Sequence, residues 1–391
     1  MELVLLSSSE RQRLANFTPL HYDKSTSARP SPCFLYLIAG RSSLYVAKRA
    51  LCAFLIQIID ERRIIMGVHS MWEDYPELAK DLSSVIELID SQIHVRDKTI
   101  ETIVKNFLHS GGKLLRPAYS LLCSQIGPEQ DKERAIAIAA AIECIHMATL
   151  IHDDVIDEAE TRHGNPTIHS QKGNKYAVYS GDYLFCLTFN LLSKYAQSLS
   201  QLEFNVKGME KILTGELEQL NSQYVEPVSV KDYLSRIAGK TAQLFAVSCY
   251  SGAVTSKAAK RATMQAWNLG HYIGMAFQII DDILDYQSDD QTLGKPVMND
   301  FRQGIYTLPL IYAMKENRQA FIPFIAKKDQ LTDNDISAIS DLIKQYQGIE
   351  KAYDLAGKYT IKALKELEKL PDGEYKNILY DITASLLKRN M

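Results

Sequence analysis

Several things are scarce or missing in this chain of 391 residues. Its six cysteines, Cys33, Cys52, Cys123, Cys144, Cys186 and Cys249, are scattered and never stand as C-x-x-C. That argues against a zinc site or a disulfide framework and fits a reducing, cytoplasmic setting. Charge of one sign is not in excess, with a formal net charge of −3, so nothing in the balance points to nucleic acid. The apolar runs of the N-terminal region are interrupted by Lys48-Arg49 and by Glu61-Arg62-Arg63, short of the roughly 18–20 residues a membrane span needs. There is no useful strand alternation, no repeat of about 20–50 residues and no low-complexity tract. Residues 129–163 contain no glycine, and no proline stands between Pro128 and Pro166.

What remains is apolar material, 46% of the residues, arranged as helix after helix from about residue 72. Ala and Ile dominate 135–151, which predicts a helix apolar nearly all round and therefore buried. A second long helix is expected over 257–286, with Gly270 and Gly274 inside it. Glycine there costs roughly 1 kcal/mol against alanine, so close packing or approach of a ligand is the expected reason. Turns are signalled at Gly111-Gly112, Gly164-Asn165-Pro166, Glu226-Pro227, Gly294 to Pro296 and Pro371-Asp372-Gly373. The architecture expected is all-α, a single large helical bundle of roughly ten or more helices around a central active-site cavity. Residues 1–65 differ: Ser- and Arg-rich, acid-poor and without sustained periodicity. A targeting peptide, a poorly ordered extension, or an over-extended reading frame with translation starting at Met66 or Met71 all fit. The last is favoured, because amphipathic patterning begins abruptly at Tyr75-Pro76-Glu77-Leu78. Residues 66–391 are then the functional domain.

Two aspartate clusters of one spacing carry most of the chemistry: Asp153-Asp154-Val155-Ile156-Asp157 and Asp281-Asp282-Ile283-Leu284-Asp285. Residues four apart share a helix face, so Asp153 pairs with Asp157 and Asp281 with Asp285. Each cluster comes late in its apolar segment, where the helix dipole disfavours carboxylates. Dipole and mutual repulsion cost about 1–2 kcal/mol per cluster. A solvated acidic helix end explains one such cluster. Two in matched apolar context point to divalent cations between them, Mg²⁺ above all, which binds through carboxylates and keeps positions for waters and phosphates. Several Mg²⁺ ions would hold a diphosphate, and the chemistry that suits them is its departure as a leaving group.

A diphosphate also needs cations. Lys113 and Arg116 lie in Gly111-Gly112-Lys113-Leu114-Leu115-Arg116-Pro117, which lacks the G-x-x-x-x-G-K-[ST] spacing of a Walker loop; a helix-start turn with solvated charges is the plain alternative. Arg162 and His163 follow the first cluster, where they equally suit a helix C-terminus as dipole-offsetting cations. Lys240-Thr241, Lys295 and Gln278 are weaker signals, Gln278 reading as readily as a core hydrogen-bonder.

Taken in order, these landmarks, with Gly181-Asp182-Tyr183-Leu184, Phe277-Gln278-Ile279-Ile280, Leu293-Gly294-Lys295-Pro296 and Thr307-Leu308-Pro309 added, resemble the trans-isoprenyl (polyprenyl) diphosphate synthase family across residues 72–391. The first 65 residues are not covered. The resemblance implies the class I isoprenoid synthase fold and a medium- or long-chain enzyme like the catalytic component of heptaprenyl or hexaprenyl diphosphate synthase. It implies Asp153, Asp157 and Asp281 as Mg²⁺ ligands, with Asp154, Asp282 and Asp285 behind them. Arg162, Lys240 and Lys295 would clamp the allylic diphosphate, with Thr241 and Gln278 near the reacting centre. Lys113, Arg116 and His146 would bind isopentenyl diphosphate, helped by His163. The reaction implied is ionisation, condensation and elimination without a side-chain nucleophile; the protein places charge and excludes water. Product length in the family is set just upstream of the first cluster. Ala148 and Thr149 are small there, with Ile145, Cys144 and Ala141 below, and the open floor predicts about thirty to fifty carbons, as in a quinone side chain.

Departures from the family pattern fall on diphosphate contacts: Leu114 for Arg, His163 for Arg, and Ile305 where Lys is frequent, while Met298 replaces a frequent Gly. A neutral His163 binds an anion more weakly than a protonated one. These losses resemble catalytic subunits that work with a small accessory partner, so a heterodimer stands beside the ordinary homodimer, and an insoluble product suggests peripheral membrane contact. Three rivals are weaker. A di-iron bundle needs Glu-x-x-His on two facing helices, but Glu143-x-x-His146 and Glu160-x-x-His163 lie on one segment. A non-catalytic partner subunit usually loses aspartates, and a terpene cyclase seldom carries the loop at 111–117.

Overall fold

A computed structural model describes residues 68–162, 164–196, 198–226, 229–287 and 298–387. Residues 1–65, His163, Pro227, Gly294, Lys295 and Pro296 lie outside this set, so the expectations resting on them find no structural counterpart here.

Helix follows helix: α1 Pro76–Gln92, α2 Lys98–Leu108, α3 Leu115–Cys123 and α4 Lys132–Ile156, then α5 Ile168–Lys172, α6 Asn174–Tyr195, α7 Leu199–Asn221 and α8 Val230–Ile237. A single π-helical turn, Ala238–Ala242, leads into α9 Gln243–Thr255 and α10 Lys260–Gln287. Beyond come α11 Asn299–Arg302, α12 Leu308–Glu316, α13 Ile322–Ile325, α14 Asp333–Gln345, α15 Gly348–Glu368 and α16 Glu374–Leu387. Starts follow local chemistry. Pro76 opens α1, where its missing N–H is no loss. Asp97 caps α2 and Asp131 caps α4, each accepting backbone N–H groups of the first turn. The bundle is all-α but for a minimal hairpin, Thr161–Arg162 paired antiparallel with Asn165–Pro166. Two residues a strand are too few to leave an alternation in the sequence; the turn expected at Gly164 is its tip.

Three helices make the centre. α4 packs on α6, α3, α1 and α9; α9 packs on α3 and α10 as well; α10 is backed by α15, α12 and α16. α4 and α9 are buried on most sides, as apolar all-round helices must be. By length and composition α4 would also cross a membrane, but 72% of its most apolar stretch is packed inside the protein. Gly270 and Gly274 are explained by packing rather than a ligand. A Cβ on Gly270 would stand 2.3 Å from the Phe245 carbonyl oxygen, and one on Gly274 2.5 Å from the Ala242 Cα. The C-terminal helix is tied in by a buried hydrogen bond of 3.0 Å between Tyr119 and Thr383.

Candidate active site

The first aspartate cluster ends α4. Asp157 is its C-cap residue, its N–H reaching the Asp153 carbonyl at 2.8 Å. Asp157 is exposed, Asp153 half-buried, and Asp154 only 2% exposed. The hairpin supplies Arg162, which donates to Asp154 Oδ1 through Nε at 2.8 Å and Nη2 at 2.7 Å. Asp154 Oδ2 is buried without a hydrogen bond. Burial pushes the Asp153 carboxyl up to about 7; Lys240 pulls it down, while Glu216 and Asp157 push it further up.

The second cluster, near the end of α10, repeats the division. Asp281 is exposed, while Asp282 is 4% exposed. Asp282 accepts from the Tyr233 hydroxyl at 2.6 Å and from Gln278 Nε2 at 2.7 Å. Gln278 accepts in turn from the Thr241 hydroxyl at 2.6 Å, so Thr241, Gln278, Asp282 and Tyr233 form one chain of hydrogen bonds. Burial pushes Asp282 up to about 7, with the bonds from Tyr233 and Gln278 acting against it. Asp285 accepts the backbone N–H groups of Asn299 and Asp300 at 3.1 and 3.3 Å. Asp300 adds a further carboxyl, raised by burial and by Asp285, Asp282 and Asp281.

Lys240 acts on the first cluster and on Asp300 beside the second. It sits in the π turn, a local widening of the helix that recurs at functional sites, and pairs with Glu216 of α7 at 2.9 Å. Burial works against its charge, yet Asp153, Glu216 and Asp157 outweigh burial and hold its pKa above the ordinary lysine value. Its charge is also felt at Asp300 beside the second cluster. Lys240 therefore offsets the first cluster, and its charge reaches the carboxyl that flanks the second. α7 comes close enough for the Glu216 pairing because Gly215 lies against the π turn, where a Cβ would stand 2.7 Å from the Lys240 nitrogen.

Beside the clusters is a cavity of about 330 Å³ lined by Gly111 to Arg116, Glu143, His146, Met147, Leu150, Arg162 and Phe277, among others. Gly111 has φ +98°, a conformation that suits only glycine without strain. The Trp72 indole donates to the Lys113 carbonyl at 2.9 Å and holds the loop. Arg116 Nη1 lies 3.0 Å from His146 Nε2, and its guanidinium stands 4.6 Å from the Phe245 ring centroid. Lys113, Arg116, His146 and Arg162 are thus brought to one cavity, next to both aspartate clusters.

A sequence model of polyprenyl synthetase matches residues 97–343. The chain belongs to the polyprenyl synthetase family. It is a prenyltransferase of the polyprenyl diphosphate synthase kind. Heptaprenyl diphosphate synthase component 2 of Geobacillus stearothermophilus is 36% identical over 81% of this chain and 98% of the relative. Two crystal structures are similar: the geranylgeranyl pyrophosphate synthase of Lactobacillus brevis, with TM-score 0.78 and 38% identity over 82% of this chain and 99% of that one, and the heptaprenyl diphosphate synthase of Staphylococcus aureus, with TM-score 0.75 and 34% identity over 80% and 99%. The all-α class I fold expected from the sequence is the fold these synthases share.

In this synthase Ala148 and Thr149, the pair expected to set product length, part company. Ala141, Ile145, Ala148 and His152 lie on one face of α4, and that face packs on α6: the Thr188 hydroxyl donates to the Ala141 carbonyl at 3.3 Å, and His152 lies against Gly181. Ala148 is fully buried there, whereas Thr149, on the face of Asp153, keeps partial exposure. Glu216, Tyr233, Asp300 and, in its cavity role, Glu143 are site residues that sequence reasoning did not place. Tyr233 stands seven residues before Lys240, one helical face, but the π turn between them breaks that register.

Proposed function

We propose that this synthase adds isopentenyl diphosphate units to an allylic diphosphate and releases a medium- or long-chain all-trans polyprenyl diphosphate, for use as a quinone side chain. The observation that carries the reading is the pair of helix-end aspartate clusters, the first offset by Lys240 and Arg162, together with a cavity lined by Lys113, Arg116, His146 and Arg162. The donor set fits Mg²⁺: hard carboxylate oxygens carrying more negative charge than Lys240 and Arg162 offset, with Asp153 driven towards protonation where no cation sits beside it. Asp153, Asp157 and Asp281 would hold the Mg²⁺, oriented by Asp154, Asp282 and Asp285. When bound, Mg²⁺ supplies the positive charge that stabilises the departing diphosphate.

The remaining work falls to side chains. Lys240, Arg162 and Lys295 bind the allylic diphosphate, and Thr241 and Gln278 orient the reacting carbon. Lys113, Arg116 and His146, with His163, hold isopentenyl diphosphate so that its double bond faces the allylic cation. Met147, Leu150 and Phe277 give the cavity an apolar wall, which keeps water from quenching that cation. The proton lost at the end goes to the departing diphosphate. The small Thr149, on the face of Asp153, leaves the growing chain room along α4, and Ala148 bounds that room where α4 meets α6.

A partner chain belongs to the same reading. Exposed apolar side chains recur along α6, at Tyr176, Tyr179 and Phe189, and along α7, at Val206, Leu213 and Leu217, the kind of exposed apolar surface that marks an interface. A second copy or a small accessory subunit covers this face; sedimentation of the purified chain, alone and with candidate subunits, tests it. The cysteines Cys123, Cys144, Cys186 and Cys249 are unpaired, in keeping with the cytoplasm.

The deciding experiment incubates the full chain with Mg²⁺, farnesyl diphosphate and labelled isopentenyl diphosphate and reads product lengths by chromatography. A discrete product longer than geranylgeranyl diphosphate is expected, shortened by Ala148→Phe. Activity only with an accessory subunit moves the chain to the two-component class. No product under either condition overturns the reading.

A further inference from the structure

One group lining the cavity beneath the glycine loop has the wrong sign for binding an anion. Glu143 lies on α4 one turn before His146, is 6% exposed, and shares the cavity with Lys113, Arg116, His146 and Arg162. Its Oε2 is buried without a hydrogen-bond partner, and so is Nε of Arg116. Leaving such groups unpaired is costly, and a glutamine or an aliphatic residue would fill the space more cheaply. Beside a diphosphate a carboxylate is also directly repulsive. Contact with the substrate therefore does not account for it.

Its effect on Arg116 does. Arg116 is fixed by the Phe245 ring face and by His146 Nε2, and the third influence is the charge of Glu143. Burial pushes Arg116 down to about 10 and Glu143 opposes that; burial pushes Glu143 up to about 7 and Arg116 opposes that. A guanidinium stays charged throughout, so what a nearby anion changes is where it rests. Without the anion, a buried cation is drawn towards solvent at the cavity mouth.

We propose that Glu143 is a positioning residue that acts through Arg116: its carboxylate keeps the guanidinium seated between Phe245 and His146, ready for the diphosphate of isopentenyl diphosphate. This rests on the assignment of the cavity to that substrate. Seating a group before the ligand arrives lowers the cost of binding and leaves the chemistry of the bound complex alone.

Steady-state kinetics of the full chain test it. Glu143→Gln should raise KM for isopentenyl diphosphate about tenfold, with kcat and KM for the allylic substrate held within about twofold. Glu143→Asp, which keeps the charge, should restore most of the loss. In an Arg116→Ala background, Glu143→Gln should add nothing further. An unchanged KM in a variant with the parental melting midpoint overturns the proposal. So does an equal effect on both substrates, or an effect that persists without Arg116. If Glu143→Gln does not fold, Glu143→Met, uncharged and of similar volume, decides, since a selective rise in KM for isopentenyl diphosphate supports the role and an unchanged KM or a parallel rise for both substrates rejects it. Should Arg116→Ala itself leave that KM unchanged, the cavity assignment fails, not the link between Glu143 and Arg116.

Discussion

At the end of α4 a guanidinium meets the buried middle aspartate, Asp154; near the end of α10 a phenol and an amide meet its counterpart, Asp282. The spacing of the two clusters is identical, and so is the division into an exposed leading or trailing acid and a buried middle one. The compensation is not. The first cluster borrows a full positive charge from a hairpin that follows it directly in sequence. The second relies on neutral donors from α8 and from its own preceding turn, with backbone N–H groups of Asn299 and Asp300 on Asp285. Identical motifs can thus be neutralised by different chemistry, and the charge balance around each is a property of the neighbours rather than of the motif. The first cluster is therefore the more sensitive to loss of a partner, and the second the more sensitive to movement of the helices around it.

The largest effect is expected where the clusters are alike. Asp153→Asn and Asp281→Asn each remove the leading carboxylate of a cluster, and each should lower kcat about 10²–10³-fold, the range for losing one preorganised electrostatic contact to a transition state. Single-turnover rates with saturating substrates measure it. A loss confined to one variant would mean that the two clusters do not share a task.

Next in size is the difference between the buried aspartates. Arg162→Gln leaves Asp154 buried beside no cation, which should cost about 3 kcal/mol, the lower end of the range for breaking a buried pair, because Arg162 itself is partly exposed. Tyr233→Phe removes one neutral donor from Asp282 while Gln278 keeps its bond, and should cost about 1–2 kcal/mol. Urea unfolding of the two variants measures both. Equal costs would dissolve the contrast, and the reverse order would show that the phenol, not the guanidinium, is the stronger partner.

What the sequence made legible follows the same contrast. α4 and α10 and the late position of each cluster could be read because apolar periodicity is local, and Arg162 stood near enough in sequence to be associated with the first cluster. Thr241 and Gln278 were legible as separate candidates, but not as bonded to one another, since that depends on how the π turn meets α10. Glu216, Tyr233 and Asp300 were not legible at all. Each matters only because a distant element approaches closely, as α7 does where Gly215 faces the π turn. The hairpin that presents Arg162 was invisible because two-residue strands have no period. Ala148 and Thr149, adjacent in sequence and read as one floor, fall on different faces of α4, a distinction that needs the position of α6.

The smallest difference between the two regions concerns the glycines flanking each cluster, where the type of neighbour sets the cost. Gly181 of α6 packs beside the first cluster, and a Cβ there would meet the His152 ring, 2.3 Å from Nε2. That ring is the free end of a side chain and can turn away, losing its contact of 3.2 Å with the Val178 carbonyl. Alanine also favours the helix by about 0.5–1 kcal/mol. Gly181→Ala should therefore stay within about 1 kcal/mol of the parent. Gly274 lies one turn before Gln278, and a Cβ there meets the backbone of Ala242 at 2.5 Å and the Phe245 ring at 3.2 Å. Backbone cannot turn away, so α10 must move off the π turn, at about 2 kcal/mol for overpacking. The displaced segment carries Lys240 and Thr241, so Gly274→Ala should also lower kcat, whereas Gly181→Ala should not. Thermal unfolding and turnover of the two variants, measured together, read this; a matched loss of stability with unchanged turnover in both would mean that the π turn follows α10 as it moves, and that the second cluster is no more dependent on helix placement than the first.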